Sequence, residues 1–423
     1  MASKYTKGVV VDSQESLENQ PVTLAASQTT NSEIIPNPLT RKLVILLAIA
    51  SALSVANLYY VQPVLADMAR EFNVPNGQAG FLATLVQIGY AVGLLFIVPL
   101  GDVIERRSLI VRALLSVSLA LAGVAVAPSF IWLAVAITLI GLTNVIPQLI
   151  VPLAASLAKP SERGRVIGSI MSGLLIGVLL SRTISGYVNT WLGWRGMYFI
   201  AVGMMLLLAL VLWRTLPVSQ PKTRLNYGAL LKSLIHLIRT EPVLRESALF
   251  GGLSFGALSA FWVTLTFLLT GAPYHYGSDV VGLFGLIGVG GALMAMGVGK
   301  LSDRINPRHI TGVALLGSLC GFGLLWVGGQ FLPALVAGVI LLDLGAQSVQ
   351  ISNQNRIYGL KSEAGSRLNT VYMVSYFTGG SVGSFLGVNG WTMLGWNGVT
   401  MVGGGLLTLA LIIYALNRNK GKV

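Results

Sequence analysis

Leu216 to Arg245 reads LPVSQPKTRLNYGALLKSLIHLIRTEPVLR. The stretch carries Lys222, Arg224, Lys232, Arg239 and Arg245 against one acid, Glu241. Pro217 and Pro221 stop any helix that enters it. On both sides the chain is apolar, in segments of about 20 residues, each long enough to cross a bilayer as a helix. A basic, polar segment between two such regions reads as a linker joining two membrane-embedded halves.

Composition agrees. Hydrophobic residues make up 54% of the 423 residues and charged residues 10%, with a mean hydropathy of +0.75. A soluble domain carries about 25% charged residues, so this chain is read as a polytopic membrane protein. The net charge of +13 lies in short loops, which is the positive-inside distribution rather than a nucleic-acid surface. The single cysteine, Cys320, excludes an internal disulfide and is expected as a small core residue. Chemistry of other classes is missing from the sequence. Gly299-Lys300 lacks the rest of a phosphate loop, and there is no HExxH. His236, His275 and His309 fall in loops or at span ends. No cofactor, metal or enzymatic activity is expected.

Residues 1–42 are polar, without an apolar core near the start, and read as a disordered tail. Twelve spans follow, at about 43–66, 78–100, 108–127, 130–157, 166–188, 193–214, 247–271, 279–299, 309–328, 332–355, 369–388 and 393–416. This divides the chain into a first bundle over 43–215, a linker over 216–245, a second bundle over 246–416 and a short tail over 417–423. Of the 28 Lys and Arg residues, 25 fall on the side of the termini. Only Arg70 and Arg195 lie opposite, and Arg182 sits within a span. Both termini and the linker are therefore expected in the cytoplasm.

The halves repeat each other. Leu192-Gly193-Trp194-Arg195-Gly196 recurs 202 residues later as Leu394-Gly395-Trp396-Asn397-Gly398. At the same offset Gln148 meets Gln350, Lys159 meets Lys361, Arg165 meets Arg367 and Gly177 meets Gly379. Parallel six-helix repeats place a solute site between the halves near the midplane.

After the second span the chain reads Val98-Pro-Leu100-Gly-Asp102-Val103-Ile104-Glu105-Arg106-Arg107. After the eighth it reads Gly299-Lys-Leu301-Ser-Asp303-Arg304-Ile305-Asn306-Pro307-Arg308. Both resemble the G-x-L-x-D-R-x-G-R-R signature of the major facilitator superfamily. Asn57-Leu-Tyr59-Tyr60-Val-Gln62-Pro63 and Pro160-Ser-Glu-Arg163-Gly164-Arg165 resemble its bacterial drug, sugar and nucleoside efflux branch. The resemblance implies an all-α membrane protein of twelve transmembrane helices in two pseudo-symmetric halves, working by alternating access. It also implies a substrate enclosed by spans one, four, seven and ten. Gly173-xxx-Gly177-Val178 in span five keeps the glycines of the antiporter signature and lacks its proline.

Two ionisable side chains fall inside spans. Asp343 is near the middle of span ten, where a charge costs at least roughly 2.5–3.5 kcal/mol, so it is expected either protonated or paired with a cation. Gln347, Gln350 and Gln354 continue its face at 4, 3, 4 spacing. That stripe either lines an aqueous cavity or binds helices to each other. Arg182 lies at comparable depth in span five, where it either reaches Asp343 or snorkels to the outer interface. Asn57 and Tyr60 in span one, Asn144 and Gln148 in span four, and Tyr376 in span eleven complete the candidate substrate face. Asp102, Arg106, Arg107, Asp303, Arg304 and Arg308 form the candidate gate, since an Asp at a helix end can pair with a nearby Arg in one state and release it in another.

The expected function is secondary transport of a small organic solute, a sugar, nucleoside or drug-like molecule, exported in exchange for protons by a monomer in a bacterial inner membrane. Uptake by symport or uniport, and a receptor on the same scaffold, are the alternatives. For orientation, a cysteine placed at Ser219 should stay unlabelled by a membrane-impermeant reagent added to intact cells; labelling from outside reverses the topology.

Overall fold

The computed structural model describes residues 40–159, 161–218, 227–288, 305–360 and 365–417. Every regular element among them is helical. This follows from the solvent, because a backbone in hydrocarbon must satisfy its own N–H and C=O groups. The first span is α1 (Arg41–Ala56), a tight turn with a 3₁₀ segment (Gln62–Val64), and α2 (Leu65–Glu71). Thr40 caps α1 by accepting from the Leu43 N–H. The second span is α3 (Asn76–Phe96) with the short α4 (Leu100–Val103), and the third is α5 (Arg106–Ala125). The fourth is α6 (Phe130–Thr143) and α7 (Ile146–Leu157), parted where Pro147 removes a donor. α8 (Arg163–Thr215) holds spans five and six, bent at Gly193.

The linker helix α9 (Tyr227–Thr240) leads to α10 (Pro242–Thr270) and α11 (Ser278–Gly288). Then come α12 (Pro307–Val327), α13 (Leu332–Tyr358), α14 (Gly365–Leu394) and α15 (Trp396–Leu416). Eight helical stretches, counting α3 with α4 and α6 with α7 as one each, are long and apolar enough to cross a membrane. α1 is too short at 16 residues, and α14 is diluted by Gly, Ser and Asn. The described helices agree with twelve passes. The tail before residue 40, residues 219–226 of the linker, Asp303 and Arg304 lie outside the described residues.

The 202-residue repeat reaches the backbone. Gly193 and Gly395 both have positive φ, at 70° and 58°. So do Asn73 and His275, both at 53°, which stand at the same 202-residue offset with different residue types. The same two corners therefore turn the chain in each half. Helix contacts repeat as well: α1 packs on α8 as α10 packs on α14. A Cβ at Gly177 would lie 2.3 Å from the Ala52 carbonyl, and one at Gly379 would lie 2.2 Å from that of Gly252. Only glycine allows these backbones so close.

Large apolar side chains such as Leu119, Ile131 and Met401 face outward, as a lipid solvent requires. Cys320 is exposed among them and is not the core residue expected. Where lipid is as apolar as the core, an apolar run does not tell inside from outside. α10 is the opposite case, with 94% of its apolar window buried in the bundle.

Gly193→Ala and Gly395→Ala should each lower thermal stability in detergent, since L-residues pay roughly 1–2 kcal/mol in the left-handed region. Gly203→Ala, in open helical backbone, should not. Equal melting temperatures for all three would remove the strain from these corners.

Candidate functional site

Arg182 does not snorkel. It is 5% exposed, and its guanidinium lies 4.0 Å from the Trp262 ring centroid and 4.8 Å from that of Tyr59. Its Nε donates to Gln62 Oε1 at 2.7 Å. Trp262, on α10, donates its indole N–H to Asp343 Oδ1 at 3.4 Å. The cation of the first half and the acid of the second thus meet on one indole, the cation on its face and the acid at its edge. Among the described residues they do not form an ion pair with each other. Cation–π contact in a desolvated setting is worth about 2 kcal/mol, which offsets part of the several kcal/mol that burying a guanidinium costs. Asp343 is 6% exposed and its Oδ2 has no hydrogen-bond partner among the described residues. That oxygen faces Gly288, where a Cβ would stand 2.8 Å away.

Beside this contact lies a small cavity lined by Tyr59, Gln62, Gln87, Tyr90, Phe255 and Phe377, among others. It has room for about one water. Tyr376 stacks on Phe255 with centroids 4.0 Å apart and donates to Gln350 Oε1 at 3.3 Å. Gln148 lies near the Tyr90 hydroxyl, and Tyr90 meets Phe377 edge-on at 4.4 Å. Gln347 is half-buried on the Asp343 face.

Asn57 and Asn144 come together elsewhere. Asn57 Nδ2 donates to Asn144 Oδ1 at 3.3 Å, and Asn144 Nδ2 to the Ser54 carbonyl at 2.6 Å. Asn57 also contacts Met205, and Tyr60 lies beside Tyr198. Asn57 and Tyr60 do share a face, but it turns into the first half, toward α8. The adjacent face, Tyr59 and Gln62, meets the second half. Spacing offers both faces and does not choose. Trp262 and Phe255 carried no sequence signal, because an aromatic in an apolar span reads as packing.

The halves are joined on the side of the site toward Gly193. Asp67 Oδ2 accepts from Ser278 Oγ at 2.5 Å and Asn189 Nδ2 at 2.6 Å. Thr183 donates to the Gly282 carbonyl at 2.8 Å, Thr266 to the Gln62 carbonyl at 2.7 Å, and the hydroxyls of Thr84 and Ser384 stand 2.7 Å apart. None of these was singled out in the sequence. At the other end, Arg106 donates to Asp102 Oδ1 at 2.9 Å and to the Gly101 carbonyl. Arg107 is half-buried. Arg308 donates to Glu246 Oε1 at 2.8 Å, and Arg356 bonds the other oxygen of the same carboxylate. Glu246 and Arg356 are thus gate-region partners that the signature did not name.

The sequence profile of the Major Facilitator Superfamily matches residues 47–388. The chain belongs to this superfamily. It is 42% identical over 353 residues to YgaY, a transporter of Escherichia coli O157:H7, covering 84% of this chain and 90% of that one. It is 24% identical over 337 residues to a protein of Helicobacter pylori strain G27 named "Probable sugar efflux transporter", covering 76% and 81%. The peptide transporter POT in complex with alafosfalin shares the fold at a TM-score of 0.73, with 14% identity over 90% of this chain and 95% of that one. The superfamily member described here is an integral multi-pass membrane transporter and not an enzyme.

Asp67→Asn should loosen the seal, since charge-assisted hydrogen bonds contribute about 1.5–3 kcal/mol. In a Cys320→Ser background, a cysteine at Thr84 should then react with a thiol reagent on the order of ten times faster. Unchanged labelling would leave Asp67 without a role in closure.

Proposed function

We propose that this transporter exports a small organic solute, of the sugar, nucleoside or drug-like class, across a bacterial inner membrane in exchange for protons. The observation that carries this is the central one: Arg182 and Asp343 come from opposite halves and are both buried on Trp262. A site divided between the halves is remade whenever they rock, so Arg182 gains or loses the Trp262 face, Asp343 gains or loses its neighbouring cation, and the solvation of both changes between states. An acid whose surroundings alternate in this way is suited to take a proton on one side and release it on the other. The efflux direction has support from the printed name of the Helicobacter relative.

The moving bodies are residues 43–215 and 246–416, joined by the 216–245 linker. With termini and linker in the cytoplasm, the joined end is external and this conformation faces inward. The Asp102–Arg106 pair and the Arg308–Glu246–Arg356 cluster then hold helix ends at the cytoplasmic side. Asp303 and Arg304 are assigned to the same gate from their place in the signature. The substrate face comprises Asp343, Gln347, Gln350, Tyr376 and Gln148, with Asn57, Tyr60 and Asn144 supporting it from within the first half. The protein acts as a monomer.

Uptake or uniport without protons has one observation in its favour, the missing proline in 173–178 of α8. Proteoliposomes holding a pH-sensitive dye separate the two. Adding transported solute should move protons, and Asp343→Asn should abolish gradient-driven accumulation while leaving facilitated exchange. A flat dye signal alongside solute flux would make the protein a uniporter.

A further inference from the structure

The charges at the centre are balanced but not spent. Arg182 uses Nε on Gln62 and has only a 3.5 Å contact from NH1 to the Val178 carbonyl. Asp343 keeps Oδ2 free of hydrogen bonds among the described residues while 6% exposed. The eleven residues that follow α11 in sequence, 289–299, contain no ionisable side chain. Between the two groups stands the Trp262 indole, and beside them lie the rings of Tyr59 and Phe255.

We infer that the substrate is amphoteric: a small solute carrying a carboxylate-like anion and an ammonium-like cation on an apolar or aromatic body. Net charge decides the class. One buried cation and one buried anion, held apart, are both satisfied by a ligand with separated opposite charges. A purely cationic ligand would pair with Asp343 and leave Arg182 facing like charge. A purely anionic one would do the reverse. Either leaves the buried site with a net charge, which is unfavourable. A neutral sugar would hydrogen-bond both groups but gain little from the aromatic faces beyond ring stacking. The planar guanidinium suits a carboxylate in two-point contact. The unbonded Oδ2 suits a donor with several N–H groups, and the indole and phenol rings take the apolar body. Trp262 is then a positioning residue that keeps the two charges apart when no solute is bound.

This inference rests on the transporter reading and not on proton coupling, so it is tested by equilibrium binding alone. The full-length protein in detergent is titrated with L-phenylalanine, L-leucine, phenethylamine, 3-phenylpropanoate and glucose, with thermal shift and equilibrium dialysis as readouts. At least one of the two amino acids should bind, and its single-charge analogues should bind roughly tenfold more weakly or worse, as loss of a charge-assisted contact implies. Arg182→Gln should erase the preference for phenylalanine over phenethylamine, and Asp343→Asn the preference over 3-phenylpropanoate. Should either variant fail to fold, Trp262→Phe keeps both charges, and the wild-type ranking still decides. Glucose binding with no amino acid bound, equal binding of the single-charge analogues, or no binding by any amino acid overturns the inference. A binding result of the expected kind together with a flat proton signal in liposomes would keep the solute class and remove only the exchange.

Discussion

A guanidinium inside a helical bundle, within a bilayer, must find compensation from the protein itself. Arg182 finds it in π-faces and one amide oxygen rather than in a carboxylate. The rings of Tyr59 and Trp262 come from different halves, so one side chain's solvation depends on how the halves meet. Asp343 depends on the same indole. Separating the halves would therefore take Arg182 off the Trp262 face and away from Asp343, while the Trp262–Asp343 hydrogen bond, within the second half, is kept. That dependence gives the centre of the molecule a reason to respond to a solute, and it makes closure around the site a matter of electrostatics as much as of shape.

Close approach of the halves relies on small side chains and short hydrogen bonds. Gly186 and Gly282 let α8 and α11 cross with backbone almost in contact. Thr84, Thr183, Thr266 and Ser278 then spend their hydroxyls across the boundary. In lipid there is no hydrophobic drive to press helices together, so packing and such hydrogen bonds supply the association. The charged clusters at the opposite end differ. Glu246 bridges Arg308 and Arg356 within the second half, and Arg106 closes on Asp102 within the first. The first set of contacts joins the halves; the second stiffens helix ends inside each.

Membrane insertion, the helical class and the twofold repeat were all legible in the residues. They follow from local rules: segment length against bilayer thickness, charge in loops, and recurrence at a fixed offset. The repeat was legible even in detail, since Leu-Gly-Trp at 192–194 and 394–396 marked two corners that turn with positive φ. Asn73 and His275 stand at the same offset, but that they mark a shared corner was not legible, because two different residues can occupy one left-handed position. The intramembrane pair Arg182 and Asp343 was also legible, since a charge in an apolar span stands out by its cost.

What the sequence could not supply was which face points where. Asn57/Tyr60 and Tyr59/Gln62 are equally polar faces of one segment, and only the packing of α1 against α8 turns the first inward and the second to the centre. Trp262 was invisible for the same reason that Cys320 was misplaced. Among apolar neighbours in an apolar solvent, burial is not encoded by hydropathy. Composition and spacing thus determined that the chain is a two-fold bundle of membrane helices with a buried cation and a buried acid. Tertiary structure alone decided that the two meet on an indole, because that contact joins residues far apart in sequence through helix packing that no local pattern records.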